Sequence, residues 1–260
     1  MNIRKPIFFS IIGLVAIIGA IFLLMVYKSV KQARYTKETV PQAIELSQML
    51  QGQQVAMQNL VTNGNTQETV PKELNIKMAF FPQAPFADWG SPWQDACEEA
   101  SILLVANAYD HHNWTRENFR DQILNLVDWE NENFGDYKNT NAQQIAQMLQ
   151  NYLNLHSVIH RNPTFEDVQQ VLARGHLIIM TFAGKEIGNP FYKNGGPDYH
   201  AMVIKGYKGG RKIITEDVGT QHGEDYVYPW QTLQNALHEY AQPIDNGAKV
   251  MIEVLPPDNN

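Results

Sequence analysis

The chain holds one cysteine, and its position gives that residue chemical interest. Cys97 stands where the sequence starts to read as a buried helix, with Ala100, Ile102, Leu103, Leu104, Val105, Ala106 and Ala108 following. A helix N-terminus carries partial positive charge and unpaired N–H groups. Both favour thiolate over thiol, and the thiolate is the nucleophile. The plain alternative is a small buried hydrophobe, a common fate of a lone cysteine. His200 opens a β-rich run, Tyr199-His200-Ala201-Met202-Val203, after a loop expected to be flexible from Gly188-Asn189-Pro190 to Asn194-Gly195-Gly196-Pro197. A histidine so placed suits a general base that must reach into a cleft. Asp217 ends the partner strand one hairpin later. In an antiparallel pair these two ends lie side by side, so a carboxylate there could hold the imidazole. Its other reading is a turn residue before Val218-Gly219.

Those three residues need elements to bring them together. Glu98 to Tyr109 reads as a buried helix, Thr115 to Trp129 as an amphipathic one, and Asn141 to Leu153 as a third. Thr164-Phe165-Glu166-Asp167 resembles a capping box that opens a short helix to Arg174, stopped by Gly175. Strands are expected over 176–182 and 200–207, with Lys208-Gly209-Gly210-Arg211 as the turn into a hairpin partner at 212–217. Trp230 to Tyr240 reads as helix and Lys249 to Leu255 as a last strand. Helices first and an antiparallel sheet later make the fold class α+β.

A helix-capping Cys97, a later strand-leading His200 and an Asp217 one hairpin on resemble the papain-like cysteine peptidases. The stretch Phe81-Pro82-Gln83-Ala84-Pro85-Phe86, with Cys97-Glu98-Glu99-Ala100-Ser101 after it, is similar to the opening motif of the stand-alone bacteriocin-leader (double-glycine) peptidases. The resemblance covers residues 76–255. It implies a papain-like fold, with Cys97 as nucleophile, His200 as base and acid, and Asp217 as orienter. It also implies a glutamine whose side-chain amide shares the oxyanion hole with the Cys97 N–H, a kind of donor that contributes about 3 kcal/mol or more to the transition state. Gln83 matches by its following motif, provided that Ala87-Asp88-Trp89-Gly90-Ser91-Pro92 loops out. Gln94 is the rival, too near the cysteine to reach the cleft from an extended approach. Trp89 and Trp93 are candidate walls of the substrate groove, or else packing at the domain edge.

The sequence departs from that family pattern after the cysteine, where Glu98 and Glu99 replace the usual glycine. Carboxylates suit a first helical turn. Near a thiolate they raise its pKa by repulsion, unless they point to solvent or pair with a cation. The function expected is hydrolysis of peptide bonds in a peptide or protein substrate, through a thioester on Cys97. The competing readings are an inactive papain-like module that grips a peptide, and a cell-wall amidase or transglutaminase with the same triad.

Asp110-His111-His112 invites a metal reading, but consecutive histidines at a helix end diverge and no third ligand is placed. His156 and His160 fit one face of a surface strand, and His176, His222 and His238 stand in no motif. Gly195-Gly196 and Gly209-Gly210 are turns, since neither opens a helix after a strand as a phosphate loop must. No metal or cofactor is expected.

With 260 residues and 44% hydrophobic content the chain is long and apolar enough to bury a real core. One cysteine excludes an intrachain disulfide framework. The net charge of −7 hides an asymmetry. Residues 1–37 hold six basic residues and no acidic one, leaving 14 basic against 27 acidic residues, a net of −13, to the rest. So acidic a domain is a poor partner for nucleic acid. From Pro6 to Tyr27 no residue is charged. A helix over 7–27 is long enough to span a bilayer core of roughly 30 Å, and Val26-Tyr27-Lys28-Ser29-Val30 offers no cleavage site. The expected order is a tail at 1–6, a single-pass transmembrane anchor at 7–27, a helical stalk and linker at 28–74, and a papain-like peptidase domain at 75–260. Lys and Arg flank the span almost evenly, leaning slightly toward a cytoplasmic domain. Analogy with anchored hydrolases places that domain outside the cytoplasm.

Overall fold

The computed structural model describes residues 17–27, 37–52, 70–110 and 112–257. The chain divides into two units, Met1–Lys37 and Glu38–Asn260. In the first, residues 17–27 are helical and their large apolar side chains are exposed. The expected transmembrane helix is not shown. Its residues 7–16 lie outside the described ones, and no described helix is long and apolar enough to cross a membrane. At 1.5 Å per residue, 17–27 reaches about 16 Å, roughly half of a hydrocarbon core. Residues 28–36 and 53–69, which include much of the expected stalk and linker, also lie outside the described residues.

The second unit begins upstream of Asn75. Ile44 bridges Ile76, with Ile44 N–H donating to Asn75 O at 2.8 Å and Lys77 N–H to Ile44 O at 2.9 Å. Residues 46–52 are helical and Leu46 is buried. Part of the segment expected as a stalk is therefore docked on this unit.

The helices form where the apolar spacing and the caps require them. Helix α1 (Cys97–Asp110) is buried at every position from Cys97 to Tyr109, as its almost unbroken apolar run demands. It lies between the sheet on one side and α2 (Arg116–Asn133) and α3 (Ala142–Leu153) on the other. Reciprocal capping boxes open α2 through Thr115 and Asn118, α3 through Asn141 and Gln144, and α4 (Phe165–Ala173) through Thr164 and Asp167. Each cap residue is worth about 1 kcal/mol against alanine.

The sheet comprises β1 (Leu74–Asn75), β2 (Ser157–Arg161), β3 (Leu177–Ala183), β4 (Tyr199–Lys208), β5 (Lys212–Glu216), β6 (Tyr226–Pro229) and β7 (Val250–Val254). Their order is β2-β7-β3-β4-β5-β6, every pair antiparallel, with β1 also pairing β4. The class is α+β. Strands β3 and β7 are buried at every position, which explains why their apolar residues run on rather than alternate, with Thr181 and Glu253 as the polar exceptions. The far end of α1 is tied to this core: Tyr109 Oη donates to Val254 O at 2.5 Å and accepts from Leu177 N–H at 2.8 Å.

Two expectations need correction. The helix expected over 230–240 stops early, as α6 (Trp230–Ala236), after the short α5 (Gly184–Ile187). Leu237 turns extended to bridge Phe182, and His238 N–H donates to Thr181 O at 3.1 Å, so the end of β3 that runs past its pairing with β7 captures the chain. The loop expected to be flexible is anchored instead. It follows α5 directly and carries a 3-10 turn at Lys193–Gly195, and Asn189 and Tyr192 are buried within it.

Candidate active site

Helix α1 places Cys97 at its first position. Ser101 Oγ donates to Cys97 O at 2.8 Å and fixes that first turn. The thiol is 5% exposed. Its Sγ accepts from Ala201 N–H at 3.4 Å, which brings the thiol against the residue after His200. The helix and the head of β4 thus converge on one spot.

The β4–β5 hairpin brings in the other two residues. Its register sets Val203 opposite Glu216, with a bulge at Lys205, so the chain just past β5 returns beside the start of β4. His200 Nε2 donates to Asp217 Oδ1 at 2.8 Å. His200 Nδ1 is buried and has no hydrogen-bond partner. It is the ring nitrogen that Asp217 does not engage. Glycines leave room for the ring. A Cβ on Gly219 would lie 2.7 Å from His200 Cε1, and one on Gly184 would lie 2.6 Å from Pro197 O and 3.1 Å from His200 Cβ.

Asp217 is fully buried yet richly bonded. Its Oδ1 also accepts from Gly219 N–H at 3.1 Å. Its Oδ2 accepts from Asn189 Nδ2 at 2.9 Å, Tyr192 Oη at 2.8 Å and Tyr228 Oη at 2.5 Å. Burial alone would raise its pKa. The His200 charge and the hydrogen bonds from His200, Tyr228 and Tyr192 outweigh burial and hold Asp217 below the usual carboxylate range. The sequence reading missed Asn189, Tyr192 and Tyr228. The available signal was Asn189 before Pro190, an Asx-turn pattern, and Asn189 Oδ1 does accept from Phe191 N–H at 2.9 Å.

The glutamates after the cysteine neither face solvent nor meet a cation. Glu98 is 1% exposed, and its Oε2 accepts from Cys97 Sγ at 2.9 Å. Its Oε1 accepts from Thr140 N–H at 2.9 Å and Thr140 Oγ1 at 3.4 Å. Glu99 faces Glu130 of α2, both fully buried. Burial, then Glu98, push the Cys97 thiol well above its ordinary pKa. Burial, then repulsion from Glu130, push Glu99 up, and burial raises Glu130 to about 8. Two carboxyls in this setting share a proton.

Gln83 is buried, and its N–H donates to Val218 O at 2.9 Å, beside Asp217. Residues between it and Cys97 do loop out: Ala87 takes φ 60°, and Asp88 and Gly90 form an exposed turn. Gln83 Nε2 donates to Trp93 O at 2.8 Å and Gln94 O at 3.2 Å, so both amide hydrogens are engaged. Gln94 is exposed and donates to Asp95 Oδ2 at 3.1 Å. Trp89 and Trp93 are half-buried on the approach to α1. His112 pairs with Asp110 at 3.2 Å, while His111 lies outside the described residues. His160 and His176 both meet Glu253, each at 2.6 Å, with Arg174 at 2.8 Å, a cluster the sequence did not announce.

Comparison with known proteins bears on this site. Residues 75–243 match the model of the Peptidase_C39 like family. No curated protein is similar to the chain in sequence. Among solved structures, a candidate C39-like peptidase from Bacillus anthracis is 14% identical, with a TM-score of 0.48, over 72% of this chain and 99% of that one. UfSP from C. elegans is 15% identical, with a TM-score of 0.37, over 76% of this chain and 37% of that one. The family match spans more than half of the chain and encloses Cys97, His200 and Asp217, so the protein belongs to the Peptidase_C39-like family and is a papain-like, cysteine-type peptidase, a hydrolase.

Proposed function

We propose that the protein is a membrane-anchored cysteine peptidase that hydrolyses peptide bonds of a peptide or protein substrate through Cys97, His200 and Asp217. The observation that carries this reading is the polarised imidazole. His200 Nε2 is tied to Asp217 at 2.8 Å, Nδ1 is left without a partner, and the Cys97 thiol lies against the next residue of β4. His200 Nδ1 takes the thiol proton, and Sγ attacks the scissile carbonyl. The C–N bond breaks as His200 returns that proton to the leaving amine. Water then adds to the thioester with His200 as base, releasing the acid and restoring the thiol. The Cys97 N–H at the helix start is one oxyanion donor, and Gln83 is the other once one of its amide hydrogens leaves the Trp93 or Gln94 carbonyl. Trp89 and Trp93 flank the groove.

The uncharged stretch 7–27 is the anchor, and the acidic domain faces the outside of the cell. A second reading, a peptide-binding module without turnover, is favoured by the Glu98 contact with the thiol and by the engaged Gln83 amide. The full-length chain and its C97A variant, incubated with a peptide library, separate the two. Cleavage by the wild type that C97A abolishes supports the peptidase. Equal cleavage by both excludes Cys97 as nucleophile, and binding without cleavage by either favours the module.

A further inference from the structure

A thiol nucleophile beside a free imidazole nitrogen would ordinarily pass its proton to that nitrogen. Here the thiol has a different partner. Cys97 Sγ lies 2.9 Å from Glu98 Oε2, inside normal reach for a sulfur donor. Glu98 is not a loose side chain that happens to fall there. Thr140 holds its other oxygen by a backbone N–H at 2.9 Å and by Oγ1 at 3.4 Å, which aims Oε2 at the thiol. Tyr199, next to His200, locks the same loop, because its Oη donates to Thr140 O at 2.6 Å. Both Glu98 and Thr140 are buried, so water does not compete for the contact.

We infer that Glu98 is a positioning residue for the nucleophile, a carboxylate that holds the Cys97 proton at rest and keeps the sulfur a neutral thiol until the proton passes to His200 Nδ1. The inference rests on Cys97 and His200 being nucleophile and base. No oxidant or co-reactant is needed, since one proton moves from sulfur to nitrogen and the charge pair thiolate–imidazolium forms. The titratable groups around Glu98 are Cys97 and Glu99 on α1, Glu130 on α2, and Tyr199 and His200 on β4. Of these, the Glu99–Glu130 pair, sharing a proton, adds at most one negative charge; burial raises Glu98 itself, and the hydrogen bonds from Cys97 and Thr140 and the charge of His200 oppose that. The carboxylate thus sets the pH at which the nucleophile is ready.

The test is the rate of iodoacetamide alkylation against pH on the full-length chain, where Cys97 is the sole cysteine and hence the sole thiol read. Glu98→Gln keeps an acceptor for Thr140 and removes the negative charge. The midpoint of alkylation is expected to fall by a unit or more, about a tenfold gain in rate at pH 6. An unchanged or higher midpoint overturns the inference. If thermal melting shows that E98Q does not fold, Glu98→Asp is read the same way, because the shorter side chain withdraws the carboxylate from sulfur. Its midpoint should also fall, and an unchanged one overturns the inference. Glu99→Gln serves as control and should shift the midpoint less than E98Q. His200→Ala separates this inference from the reading beneath it. If H200A raises the midpoint while E98Q leaves it alone, Glu98 has no such role though the pair exists. If H200A moves nothing, the Cys97–His200 pair itself is lost, and this inference with it.

Discussion

Asp217 and Glu99 are equally buried, and the protein treats them in opposite ways. Asp217 sits at the end of a hairpin, where five donors from four parts of the chain converge: His200, Gly219, Asn189, Tyr192 and Tyr228. It stays charged and can orient an imidazole. Glu99 sits on the inner face of α1 against Glu130, and neither oxygen of either residue finds another donor. That pair keeps a proton. Depth of burial is therefore a poor guide to charge in this molecule, and the number of donors within reach decides it. Glu98, with one donor loop and one thiol, stands between the two.

Three substitutions test this contrast. The largest effect is expected for Asp217→Asn, which keeps the shape and removes the charge that holds His200. Loss of kcat/KM of about 10²- to 10⁴-fold follows from a wrongly held imidazole, as in other nucleophile–histidine–carboxylate sites. Steady-state kinetics on a peptide substrate checks it, and near-normal kcat/KM would mean that the tyrosines and Asn189 position the ring without the carboxylate.

Glu130→Gln should act in the other direction. Glu130 has its pKa raised to about 8. A raised carboxyl contributes stability fully below its unfolded pKa, near 4.3, and loses it as pH climbs through the folded value. Removing the group should thus raise Tm more at pH 8 than at pH 5. A gain of 1 kcal/mol would read as about 2–4 °C. Thermal melts at both pH values decide it, and a variant less stable at pH 8 would mean that Glu130 is held by a cation.

Glu253 gives the smallest and opposite signal. Burial would raise it, but hydrogen bonds from His176, Arg174 and His160 hold it at about 2. A depressed carboxyl contributes stability above its unfolded pKa, near 4.3, and loses it as pH falls toward 2. Glu253→Gln should therefore lower Tm modestly at pH 6, and the gap from wild type should close by pH 2–3. A gap that persists there would assign the loss to packing of β7.

The three residues proposed to carry the chemistry were legible because each stands at an element boundary, where residue type and position coincide. Cys97 opens a helix, His200 opens a strand and Asp217 closes a hairpin. The same signals found α1 to α4 and the long strands, but not α5, and they overran α6. What supports Asp217 was not legible, because those residues come from places with no periodicity. Asn189 and Tyr192 lie in an irregular loop, and Tyr228 on a four-residue strand that ends in proline. Strand β1, two residues long, is likewise too short for alternation to register. The place of the glutamates stayed open for another reason. Their chemistry suits an exposed first turn, whereas α1 is enclosed on all sides by the sheet, α2, α3 and the Thr140 loop. Burial of that kind is decided by tertiary packing, which local sequence does not encode.

The Tyr109 hydroxyl carries a mechanical consequence. It clamps the rear of α1 between β7 and β3, while Cys97 rides at the front, about 18 Å away along the same helix. A helix is stiff along its axis, so the rod cannot slide without lifting its rear clamp. The position of the sulfur along the helix axis is thus set in part at the far end of its own helix.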